Sequence, residues 1–142
     1  MANVSLDDID IQALAFRLAQ QTSAESPTVK NLTVTGSETL SSAVVAASAT
    51  DTQVGGTAIT AMNNHVTSTG ASQAVTLPAS KPGLTITIAL ATASNAVDVF
   101  PASGDAINAL GANNKITMGA LTSASFMCTI AGQWFTVPRV PS

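Results

Sequence analysis

The chain has 142 residues, with five Lys and Arg, eight Asp and Glu, one His, one Cys and a formal net charge of −3. Charged residues make up 9% of it, against roughly 25% in an ordinary soluble domain. This excludes binding to nucleic acid through clustered cations, a disulfide framework and a Cys-based zinc site. No apolar run approaches the roughly 18 residues that would suggest a membrane span, and the N-terminal Met1-Ala2-Asn3-Val4-Ser5-Leu6-Asp7-Asp8 has neither the basic nor the apolar region of an export signal. A compact monomer of 14.2 kDa would expose roughly 6,800 Å². Charged side chains at about 100 Å² each would mask only about a fifth of that surface. A body so thinly charged associates readily, so the expectation is a homo-oligomer or a component of a larger assembly.

Residues 5–21 read as a helix. Ser5 can cap it, and Asp7, Asp8 and Asp10 meet the positive end of its dipole in the first turn. Leu6, Ile9, Ala13 and Phe16 follow helical spacing, with Ile11, Leu14 and Leu18 in an adjoining row, which makes a broad apolar stripe. So short and apolar a helix has to dock on something. The segment from Gln20 to Pro27 is polar and ends in a helix breaker, so it reads as a linker. From Thr28 the period changes to two. Val29, Leu32 and Val34 form one strand, Gly36-Ser37 a turn, and Leu40 with residues 42–48 a second strand, together a small hairpin arm over 28–52.

The main domain is expected over 53–142. Gly55-Gly56 breaks the chain, and residues 58–69 read as a strand or as a turn followed by a strand. Ala74-Val75-Thr76-Leu77 is a short strand stopped by Pro78. Lys81-Pro82-Gly83 has the Pro-Gly order of a type II turn. In Leu84–Leu90 the four large aliphatic residues share one face. Strands follow at 96–101 and 115–118, and Ala131-Gly132 joins a final hairpin of residues 124–130 and 133–137. No tandem repeat is evident. Short strands with frequent turns predict a mainly β protein, a β-sandwich or jelly-roll-like domain with an N-terminal helix and a short β-hairpin arm.

Few residues carry chemistry. His65 is the only histidine and lies in a polar, turn-like stretch, so a structural or surface role outweighs catalysis. Cys128 alternates with Phe126 and Ile130, the pattern of a small buried hydrophobe. Asp98 and Asp105 bracket a turn and could act as paired carboxylates, but their spacing fits no calcium loop and turn chemistry explains them better. Trp134 and Phe135 place one ring on each face of a strand, one for the core and one free to meet a partner. The phosphate-loop, dinucleotide, zinc-protease and serine-hydrolase motifs are absent. The expectation is therefore no enzyme activity, with no catalytic residue, cofactor or metal assigned.

Several segments together resemble a known family. They are Leu77-Pro78-Ala79, Pro82-Gly83-Leu84, the run Val99-Phe100-Pro101-Ala102-Ser103-Gly104-Asp105-Ala106-Ile107-Asn108, and the closing Gly132-Gln133-Trp134. In this order they resemble a β-domain of tailed-bacteriophage virion proteins, including capsid decoration (cement) proteins and fibre-associated proteins, over residues 53–138. Asn31-Leu32-Thr33-Val34-Thr35-Gly36 is separately similar to β-segments of phage fibres. The resemblance implies a non-catalytic structural role in the virion, with trimerisation favoured and a dimer possible, and does not decide between head and tail. Small size and the docking helix favour a cement protein on the capsid surface, assembled in the host cytoplasm. The expected partners are the major capsid protein and copies of this chain, with no nucleic acid and no membrane. Residues 1–27 would form a docking arm through Leu6, Ile9, Leu14, Phe16 and Leu18, with Leu32 and Val34 as strand-pairing contacts. A tail-fibre or head-fibre component that binds a host surface, with a site near Trp134 or residues 101–115, is the alternative. A small hydrolase using Asp98 and Asp105 is a third reading.

Overall fold

The structure, a computed structural model, describes residues 40–137. The helix predicted over 5–21, the linker and the first strand of the hairpin arm, with Leu6, Ile9, Leu14, Phe16, Leu18, Leu32 and Val34, lie outside the described residues.

The described residues contain ten strands and no helix. They are β1 (Ser42–Ala46), β2 (Thr57–Ala58), β3 (Asn63–Thr67), β4 (Gln73–Thr76), β5 (Thr85–Leu90), β6 (Val97–Phe100), β7 (Ala106–Ile107), β8 (Ile116–Met118), β9 (Ser123–Ile130) and β10 (Gln133–Val137). Through β6 the chain alternates between two sheets, and each return lays a strand parallel to the one before. β1, β3 and β5 stack in one sheet, and β2, β4 and β6 in the other. This is a β-solenoid of three coils. Antiparallel strands complete it: β8 pairs with β6, and the β9–β10 hairpin adds to β5. β7 pairs parallel to β10 at the far edge. The result is a six-stranded sheet in the order β1-β3-β5-β9-β10-β7 and a four-stranded sheet in the order β2-β4-β6-β8.

The architecture corrects the expectation of a jelly-roll-like sandwich. Alternation of period two is the same whether a half-buried strand pairs with a hairpin neighbour or with the previous coil. What separates the folds is the pairing partner, and here the corners send the chain into the opposite sheet instead of back on itself. The repeat escapes notice because the coil length varies. Ser42 pairs with Asn63 and Asn63 with Thr87, whereas Thr57 pairs with Val75 and Gln73 with Val97. The stacked positions also hold different residues, as in the inner row Val45–Val66–Leu90.

The core lies between the sheets. Val66, Ile86, Ile88, Leu90, Phe126 and Trp134 point into it from the six-stranded sheet, and Val75, Val97, Val99, Ile116 and Met118 from the other. Burying such side chains contributes about 1.5–3 kcal/mol each. Two turns match the sequence reading. The Leu84 N–H donates to the Lys81 carbonyl at 3.0 Å, closing a turn with Gly83 at φ 90°. Gly132 joins β9 to β10 at φ 82°. Both are left-handed conformations that favour glycine. Cys128 is buried, as expected, and its thiol donates to the Ile130 carbonyl at 3.2 Å.

Candidate functional site

The two sheets differ in what covers their outer faces. Over the four-stranded sheet the β1–β2 connection folds back as a roof. Ser48 and Ala74 exchange backbone hydrogen bonds, and the Thr76 hydroxyl donates to the Gln53 carbonyl at 2.7 Å. The Gln53 amide donates to the Pro101 carbonyl at 2.7 Å. Asp51 on this roof and Asp98 on β6 both bind Lys115, with Nζ–Oδ2 distances of 2.6 Å and 2.9 Å. Thr117 donates to the other Asp98 oxygen. Hydrogen bonds from Lys115 to Asp51 and then to Asp98 raise the lysine pKa above its ordinary value. The ammonium also lies 5.7 Å from the centre of the Phe100 ring, within cation–π range.

Among the described residues, the outer face of the six-stranded sheet has no such roof. β1 contributes Ser42, Val44 and Ala46, β3 contributes Asn63, His65 and Thr67, and β5 contributes Thr85, Thr87 and Ala89. Beyond them β9 presents Ser123, Ser125, Met127 and Thr129, and β10 presents Gln133, Phe135 and Val137. The strand registers align these into rows. One runs Ser42–Asn63–Thr87–Ser125–Val137, a second Val44–His65–Ala89–Ser123, and a third Thr85–Met127–Phe135. Thr87 and Ser125 share a hydrogen bond of 3.0 Å within the first row.

No Asp, Glu, Lys or Arg occurs in any strand of this sheet. All five charged residues among those described, Asp51, Lys81, Asp98, Asp105 and Lys115, lie elsewhere. The face is uneven. Around β3 a shallow depression of about 360 Å³ is lined by Ser42, Val44, Asn63, His65, Thr87 and Ala89. On β9 and β10 the larger Met127, Phe135 and Val137 stand above their small neighbours, with Met127 37% and Val137 49% exposed. Val44, at the rim of the depression, is 78% exposed.

The residues singled out for chemistry are dispersed. Asp98 engages Lys115 and Thr117, while Asp105 accepts the Ser80 N–H at 2.8 Å, so the two carboxylates serve separate networks. His65 is exposed on β3 among uncharged neighbours, and no cluster of three or more His, Cys, Asp or Glu among the described residues could hold a metal. Trp134 is buried and Phe135 faces outward, as their alternation implies. The predicted docking residues of the arm lie outside the described residues. Sequence reasoning did not find the open face itself, although its signal was present: every charge between Leu40 and Val137 falls in a corner or in the smaller sheet.

Comparison with known proteins returned no matching family model, curated protein or solved structure. The fold and this open face are therefore what bear on function.

Proposed function

We propose that the protein is a bacteriophage capsid decoration (cement) protein that binds the outer capsid shell and stabilises contacts between capsomers. The observation that carries this reading is a broad sheet face without charge, the five charged side chains among the described residues lying elsewhere. Such a face is suited to contact with other protein, where each charge removed from water would cost free energy unless paired. In this reading the β-body associates with copies of itself, and residues 1–27 reach the major capsid protein. Weak single contacts gain strength by repetition around a closed shell. No catalytic step, cofactor or metal enters the mechanism. The resemblance over residues 53–138 supports a virion location.

A head-fibre or tail-fibre component is the second reading. Coil stacking favours it, because a parallel stack extends by adding coils and so suits a shaft. The copy number in purified virions separates the two. Quantitative mass spectrometry should find one copy per major capsid subunit, or a simple fraction of that, for cement. A handful per particle indicates a fibre, and absence from the particle refutes both. Deleting residues 1–27 should abolish capsid binding while circular dichroism still reports a folded β-domain. Retained capsid binding by that truncated protein would refute the arm.

A further inference from the structure

We propose that the open face of the six-stranded sheet is a self-association surface on which a second copy of this chain packs face to face about a twofold axis. The inference rests on the reading above only in assigning self-association to the body. It differs from the trimer that the family resemblance favours.

Three features select a second copy as the occupant. The first is electrostatic. Like-charged copies repel, but here the charged cluster of Asp51, Asp98 and Lys115 lies over the opposite sheet. Sheets pack about 10 Å apart, so in a pair of these bodies the two clusters stand roughly 30 Å from each other, several times the roughly 8 Å screening length at physiological salt. An uncharged face also offers a charged partner nothing to recognise.

The second feature is self-complementarity. In the strand order β1-β3-β5-β9-β10-β7 the midpoint lies between β5 and β9, and β3 and β10 are equidistant from it. An axis parallel to the strands at that midpoint exchanges β3 with β10. It therefore brings Val137, one member of the apolar ridge, over the depression of the other copy, in both directions at once, as an isologous interface requires. Rotation about this axis keeps the rows. Val137 and Asn63 share a row, so Val137 of the second copy comes over Asn63, inside the depression. In the same way Ser125 of the second copy comes over Thr87, and its Met127 over Thr85.

The third feature is size. Strands about 4.8 Å apart and roughly 17 Å long give the face about 400 Å² in plan. Specific interfaces bury about 800 Å² per partner. The pair is accordingly weak and reversible, and it becomes strong only when many copies are held together.

The test is sedimentation of the full chain over a range of concentrations, without capsids, beside Asn63→Arg and Val137→Asp. The wild type should pass from monomer to dimer with concentration. Each variant alone, which places an unpaired charge in the contact, should weaken association by at least about thirtyfold. An equimolar mixture of the two variants should restore dimers, because the new arginine and aspartate then face each other. Circular dichroism and melting curves establish that the variants are folded, and Ala89→Arg replaces Asn63→Arg as the disrupting variant if the latter unfolds. A wild type that stays monomeric throughout, a trimer, or a dimer indifferent to these substitutions overturns the proposal. If the wild type is monomeric yet cement stoichiometry is found on virions, the pairing fails and the capsid reading stands. A solution dimer absent from virions gives the reverse.

Discussion

Lys115 and Asp51 are 64 positions apart in the chain, yet their side chains meet at 2.6 Å. The contact fastens the β1–β2 connection over the outer face of the four-stranded sheet, and Asp98 closes the same cluster from β6. The Asp98 side chain is only 11% exposed, so its charge depends on this lysine and on Thr117. Substituting Lys115→Met removes both ion pairs and leaves Asp98 poorly compensated. The lysine itself is 39% exposed, so solvent screens part of the loss. The expected cost is about 1–2 kcal/mol, read as a lower urea midpoint with an unchanged slope. Asp51→Asn, on the more exposed side, should cost less than about 1 kcal/mol.

The same cluster sets a pH dependence. Hydrogen bonds to Asp51 and then Asp98 raise the Lys115 pKa above 10.5, the ordinary lysine value. A group whose pKa is raised on folding contributes stability that is complete below its unfolded value and lost as pH rises through the folded one. Thermal midpoints should therefore fall above about pH 10.5 more steeply in the wild type than in Lys115→Met. Equal slopes in the two proteins would show that the cluster does not couple to folding.

Two glycines should respond to alanine for different reasons. Gly83 has φ 90°, and an added Cβ would meet nothing within 4 Å. Its replacement carries only the conformational cost of a left-handed residue, about 1–2 kcal/mol. Gly56 ends the roof, where a Cβ would stand 2.5 Å from the Thr76 hydroxyl and 3.2 Å from the Val75 carbonyl carbon. Gly56→Ala should break the Thr76–Gln53 hydrogen bond and raise the proteolytic sensitivity of residues 49–56, which Gly83→Ala should leave unchanged.

Phe126 is fully buried, and Cys128 lies beside it on the inner side of β9. Phe126→Ala should cost about 3–5 kcal/mol through lost burial and the cavity left behind. Reaction of Cys128 with a thiol reagent should be slow in the wild type and speed up in Phe126→Ala in step with the loss of folding free energy. Rapid reaction of the wild type would place the thiol at the surface.

Several elements were legible in the sequence because their signals are local. The aliphatic alternation of Leu84–Leu90, the Pro82-Gly83 turn, the Ala131-Gly132 hairpin and the inward-facing Cys128 all follow from rules that span a few residues. The pairing of Val45 with Val66, and of Val66 with Leu90, follows from no such rule. Nothing in a five-residue strand states whether its partner is the next strand or the one after it. The unequal coils removed the fixed period that would have revealed the stack. The roof over the smaller sheet was hidden for a related reason. Asp51, Gln53, Lys115 and Asn113 meet only after six strands have been laid between them, so their cluster has no sequence spacing to recognise. The uncharged face was readable in composition, but the alternating pattern could not say which strands share it.

The unequal coils have a consequence for the gene as well as for the fold. One turn of the stack takes 18 residues between Thr57 and Val75 and 24 between Gln73 and Val97, and the ladder between the same two sheet positions is kept in both. The corners take up the difference, so length there can change without disturbing the register. A foreign peptide spliced into an exposed corner such as Ala93-Ser94 should be carried outward intact, and if the proposed capsid role holds, a coated shell would then present that peptide in regular array.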